Sequence, residues 1–135
     1  MSDAELPELH FADGLPGFPD VRRFVLISLG DGPFSVLRNI DGGPEPPSGP
    51  EFVVTHPGLF FPDYEPEIDD DTAERLGLKS ADDALLLVIV TVADPVAAST
   101  ANLLGPIVVN RHTRAAAQAV LGTSRYATRE ALVPT

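Results

Sequence analysis

Apolar residues along the chain fall into short runs separated by glycine- and proline-rich turns, and the longest run is Ala84–Ala93, with the sequence ALLLVIVTVA. It is apolar at odd and even positions alike and rich in β-branched residues, so it predicts a central strand buried on both faces. Its 10 residues fall short of the roughly 18 to 20 that a bilayer-spanning helix requires. Asp94-Pro95 ends it, because proline has no amide to give to a ladder. A second run, Thr100–Asn110, carries Gly105-Pro106 in its middle, which predicts a bulge or bend ahead of Ile107, Val108 and Val109.

The remaining periodicity is mostly that of short strands. Leu9–Phe11 predicts a first strand and Asp13–Asp20, with two glycines and two prolines, a tight turn. Arg22–Leu29 and Phe34–Ile40 predict a hairpin across Asp31-Gly32-Pro33. The proline-rich stretch 41–50 reads as a loop or linker, and Glu51–His56 as the next strand. From Leu59 to Asp71 acidic and aromatic residues alternate around Pro62 and Pro66, which predicts an extended and strongly negative edge. Asp71 with Glu74 has the spacing of a helix start, so a short helix is expected over Thr72–Leu76, ended by Gly77. Ser80 with Asp83 repeats the capping pattern before the central strand. After a basic turn at Arg111–Arg114, Ala115–Leu121 sets helix propensity against sheet context; strand is expected, because buried strands need edge partners. Gly122–Tyr126 is a further turn and Ala131–Val133 a last short strand. The sum is an all-β domain with one short helix, closed or nearly closed into a small β-barrel, with residues 1–135 as a single domain.

Charge narrows the functional classes. The net charge is −11, which argues against nucleic acid, where each phosphate contact needs a cation, and against anionic membrane surfaces. A basic protein partner suits such a field, and so does acidity that serves only to keep the protein soluble. The asymmetry is sharp: residues 1–75 hold 16 acidic and 4 basic side chains, residues 76–135 hold 4 and 5. Cysteine is absent, which removes disulfides, thiolate chemistry and zinc–thiolate sites. The first ten residues have neither the basic nor the apolar region of a signal peptide, so a cytoplasmic location is expected.

Candidate chemistry is sparse. Asp69-Asp70-Asp71 lacks the alternation, central glycine and terminal glutamate of a calcium loop. His10, His56 and His112 share no ligand spacing on one element. No serine sits in a nucleophile-elbow context, and Gly42-Gly43 runs into prolines rather than into a helix start. No catalytic residue, metal or cofactor is assigned. A carboxylate-based hydrolase and a generic acidic β-barrel adaptor remain as alternatives to any specific binding role.

Three motifs in order, Gly14-Leu15-Pro16-Gly17-Phe18, Phe60-Phe61-Pro62-Asp63-Tyr64 and Thr100–Asn110, together with the Leu76-Gly77-Leu78 break, resemble the bacterial flagellar assembly factor FliW family from about Phe11 to Leu132. The chain departs from the family pattern in its longer, more proline-rich 42–50 loop and in the alanines at 115–117. The resemblance implies a small barrel-like fold and a binding role. Members bind flagellin near its C-terminal end and bind the translational repressor CsrA, which frees flagellin mRNA for translation; an export chaperone without CsrA binding is the nearby alternative. On this reading Asp63, Tyr64, Glu65, Glu67, Asp69, Asp70 and Asp71 are expected to face the repressor, with Tyr64 as the apolar anchor; the alternative for the carboxylates is an ordinary solvated face. Asn102 and Asn110 either bond a partner backbone or close turns, and Pro106 and Ile107 either line an apolar groove for a flagellin helix or pack in the core.

Overall fold

The computed structural model describes residues 8–12, 14–15, 21–30, 32–40, 51–121 and 126–132. The 41–50 loop, the turn residues 122–125 and parts of the 13–20 and 31–33 turns lie outside them, as does Val133. The strands are β1 (Glu8–Phe11), β2 (Arg23–Ser28), β3 (Phe34–Asn39), β4 (Glu51–Thr55), β5 (Ala84–Thr91), β6 (Thr100–Ala101), β7 (Ile107–Asn110), β8 (Ala115–Gln118) and β9 (Glu130–Ala131). Among the described residues one α-helix, α1 (Asp70–Arg75), lies between β4 and β5, alongside short 3-10 turns at Pro57–Leu59, Ala81–Asp83 and Val96–Ala98.

Seven of these strands close into a barrel. Antiparallel pairing runs β1–β2–β3–β4 and continues from β4 to β5, with Val53 opposite Val90. From β5 it passes to β7 and β8, and β8 meets β1 in a parallel junction, the one such pairing among the described residues, with Phe11 opposite Ala116. β6 extends the β7 edge of β5, and β9 pairs with β6.

The predicted bend at Gly105-Pro106 is a full interruption. The run 100–110 lies along a single edge of β5, but Val90 faces Ala101 while Leu87 faces Ile107. Three extra residues therefore leave the ladder between β6 and β7. Asn102 closes that excursion: its Oδ1 accepts from the amides of Leu104 (3.1 Å) and Gly105 (2.9 Å).

Strand alternation sorts the core into two layers. Inward side chains of the barrel, Leu9, Phe11, Phe24, Leu37, Val54, Leu87, Ile107, Val109 and Ala116, form one cluster. Phe11 and Phe24 meet edge to face at 5.2 Å. The outward residues of β5 are not solvated. Val88 and Val90 pack with Phe60, Phe61 and Tyr64; Ala84 and Leu86 pack with Ile68, Leu76 and Leu78. Residues 57–83 thus form an outer layer over β5 and β7, which explains why β5 is apolar on both faces. Ala115–Gln118 is a strand despite its alanines. Its ladder partners on both sides, β1 and β7, outweigh a helix preference of only a few tenths of a kcal/mol per residue.

Candidate functional site

The acidic stretch 63–71 sits on the outside of this outer layer. Tyr64 and Ile68 turn toward the barrel, whereas Asp63, Glu65, Glu67, Asp69, Asp70 and Asp71 are exposed. The alternation seen in the sequence is therefore a segregation in space, with rings and aliphatic groups beneath and carboxylates above.

The helix begins two residues earlier than Asp71 suggests. Asp69 is the cap: its carboxylate accepts from the Thr72 amide at 3.3 Å and from the Thr72 hydroxyl at 2.5 Å. The Thr72 hydroxyl bond holds the Asp69 carboxyl below the usual carboxylate range. Asp70 and Asp71 occupy the first turn, where negative charge suits the helix dipole. At the other end Gly77, at φ +71°, allows a complete Schellman closure: Leu78 N donates to Ala73 O (2.9 Å) and Gly77 N to Glu74 O (3.1 Å).

Asn110 secures this end of the helix from the barrel. Its Nδ2 donates to Leu76 O (2.8 Å) and Gly77 O (3.4 Å), and its Oδ1 accepts from the amides of His112 and Thr113 (2.8 and 3.2 Å). The side chain is buried and fully engaged within the protein, so its role is to pin the outer layer and close the 111–114 turn. Asp83, ahead of β5, pins the chain in a similar way. Its carboxylate accepts from the amides of Lys79 (2.9 Å) and Ser80 (3.1 Å) and meets His112 Nε2 at 3.0 Å. The Lys79 amide first, and His112 after it, hold the Asp83 carboxyl below its ordinary range.

Pro106 and Ile107 do not form a surface groove. Both are fully buried, Ile107 at 0 % exposure among the inward residues of the barrel. The parity of β7 places Ile107 and Val109 inside and Val108 under the outer layer, so core packing is the reading that the structure supports.

Tyr64 is half-buried. Its hydroxyl donates to Leu103 O at 2.6 Å, and burial, then the neighbouring Tyr126, push its ionisation well above the ordinary phenol range. Tyr64 and Tyr126 meet edge to face at 4.6 Å, and the Tyr126 hydroxyl accepts from the Glu65 amide at 3.0 Å. Beside them Phe60, Phe61, Pro62, Asp63, Leu103 and Glu130 complete an open groove of about 400 Å³. Sequence reasoning placed Asp63 and Tyr64 at an interface but missed Tyr126 and Glu130, which lie some 60 residues away. Tyr126 reads only as the end of the Gly122–Tyr126 turn, and no pattern in the sequence singles out Glu130.

Among the described residues no group of three or more His, Cys, Asp or Glu side chains is placed to hold a metal ion. Nor, among those residues, is any helix long and apolar enough to cross a membrane. What the site presents is a rigid aromatic bed under an acidic surface, an arrangement suited to binding.

Similarity to known proteins places the chain in one family. The family model described as FliW protein matches residues 1–132. The flagellar assembly factor FliW of Geobacillus thermodenitrificans is 41 % identical over 135 residues, covering 98 % of this chain and 90 % of that protein. The flagellar assembly factor FliW of Bacillus subtilis is 39 % identical over 120 residues, covering 88 % and 80 %. A crystal structure of the flagellar assembly factor FliW superposes with a TM-score of 0.86 at 39 % identity, covering 95 % of this chain and 86 % of that one. With a match this long in both sequence and fold, the chain belongs to the FliW family.

Proposed function

We propose that this protein is a non-catalytic cytoplasmic partner switch in flagellar assembly. It binds the C-terminal region of flagellin and, when free of flagellin, binds the translational repressor CsrA and relieves repression of flagellin mRNA. The two complexes exclude one another, so the linkage between them reports the flagellin supply. The observation that carries the reading, beside family membership, is the outer layer. Six carboxylates from Asp63 to Asp71 are exposed on a surface whose apolar side chains are turned inward. A repressor that grips RNA is basic; an acidic face steers it into encounter and repels phosphate once docked.

Calorimetric titration with the cognate CsrA, with flagellin and with a preformed flagellin complex tests the switch. Submicromolar binding to each partner alone, with the flagellin complex blind to CsrA, is expected. Binding to flagellin only would leave an export chaperone. The placement is tested by the charge reversals Glu65→Lys, Glu67→Lys and Asp70→Lys, which spare the Asp69 cap. They are expected to weaken CsrA binding at least tenfold and to flatten its salt dependence. Unchanged affinity would move the repressor-facing surface elsewhere.

A further inference from the structure

The groove between Tyr64 and Tyr126 has features that the acidic face alone does not explain. Its floor is aromatic, from Phe60, Phe61, Tyr64 and Tyr126, and its rim carries the carboxylates of Asp63 and Glu130. No cation is among the described residues that line it.

The groove is also held open in advance. Phe60 N and Phe61 N both donate to Pro57 O (3.1 and 2.7 Å), and Tyr64 N donates to Phe61 O (3.0 Å). The amides of Leu103 and Leu104 both donate to Ala127 O (3.0 and 3.2 Å), which ties the Tyr126 side to the β6–β7 excursion. Both tyrosine hydroxyls are bonded to backbone groups, at 2.6 and 3.0 Å. The backbone on both sides and the two tyrosine rings are therefore held before a ligand arrives, and less ordering remains to oppose binding.

We infer that this groove is an arginine pocket, which seats the guanidinium of an arginine-bearing segment of a basic partner protein over the aromatic floor and between Asp63 and Glu130. Charge complementarity selects the occupant: an aromatic bed attracts a cation, and a planar guanidinium stacks on rings while bonding carboxylates at its edge, which an ammonium does less well. The inference deepens the proposed function and rests on it for one point, that the protein carrying the arginine is the repressor.

The test is an NMR titration of the full-length protein with Nα-acetyl-arginine methylamide, with the neutral isostere Nα-acetyl-citrulline methylamide as control. Saturable shifts centred on Phe61, Tyr64, Tyr126 and Glu130 are expected, about tenfold weaker for citrulline and about tenfold weaker for arginine with the D63N/E130Q variant. Both substituted positions are exposed, so the fold is retained. Shifts spread along Glu65–Asp71, insensitivity to D63N/E130Q, or no shifts would each overturn the pocket. A wild-type protein that fails to bind CsrA would overturn the functional reading instead, while the arginine titration still decides the groove.

Discussion

The inside of the barrel and the layer outside β5 bury comparable kinds of side chain by different means. Inside, Phe11, Phe24, Leu37, Leu87 and Ile107 are held by continuous ladders that close on themselves, so each side chain is located by many small contacts. Outside, residues 57–83 contribute one helix of six residues and a few tight turns. That layer packs on the outward residues of β5 and β7 and is oriented by polar pins, Asn110 on the Leu76 and Gly77 carbonyls and Tyr64 on the Leu103 carbonyl, while Asp83 braces the Lys79 and Ser80 amides within it. The region proposed to meet partners thus has little ladder of its own and is tied to the barrel by side chains, as expected of segments that open at lower free energy than the core.

The largest effect should come from the interior. Ile107→Ala is expected to cost about 2–5 kcal/mol, as for a fully buried large-to-small change, measured by denaturant unfolding. Loss of flagellin binding at unchanged stability would break the comparison by returning Ile107 to the surface.

Next comes the principal pin. Asn110→Ala removes both donors to the helix end and both acceptances in the 111–114 turn, with an expected loss of about 2–3 kcal/mol. Hydrogen exchange should show the amides of Leu76 to Leu78 opening well before those of β5. Equal acceleration in both would mean that the two layers unfold as one unit.

The smallest effect is one of pH. Asp69 and Asp83 both ionise below the usual carboxylate range when folded, so their contribution is fully present above the unfolded value and is lost as pH falls through the folded one. Acidification below about pH 4 should therefore loosen the outer layer before the barrel. The paired changes Asp69→Asn and Asp83→Asn should flatten that acid limb at a small cost near neutrality, read by tyrosine near-UV circular dichroism. An acid limb unchanged in the double variant would assign acid sensitivity to other carboxylates.

Legibility in the sequence follows the same division. β5 could be read because a strand covered on both sides must be apolar throughout, and Gly77 because only glycine takes positive φ cheaply at a helix end. β1 to β5 were readable to within a residue or two from their apolar runs and bounding turns, whereas β8 ends at Gln118, three residues short of the expected Leu121. Three consecutive aspartates did not disclose which one caps the helix. Asp69 precedes Thr72 by three residues just as Asp71 precedes Glu74, and the choice falls to the tertiary anchoring of Ile68 and Leu76. The split of the 100–110 run into β6 and β7 was signalled by Gly105-Pro106, but its three-residue excess was set by pairing with β5. In the site, the acidic stretch was legible because its residues are contiguous. The groove was not, because Tyr64, Leu103, Tyr126 and Glu130 meet only after folding. Asn110 could be placed in a turn, but its hold on carbonyls 33 and 34 residues away could not.

The parallel junction between β1 and β8 carries a consequence for synthesis. β2, β3 and β4 can zip as a meander soon after they leave the ribosome, since each pairs with its sequence neighbour. The ring itself cannot shut until Ala115 and Ala116 reach His10 and Phe11, more than a hundred residues earlier in the chain. Loop closure over that span comes before the reward of the contacts it makes, which places this protein among slow-folding, high-contact-order topologies. During translation the nascent chain therefore holds an open sheet with two unsatisfied edges until its last strands emerge, and the interval before closure is when it is most exposed to aggregation.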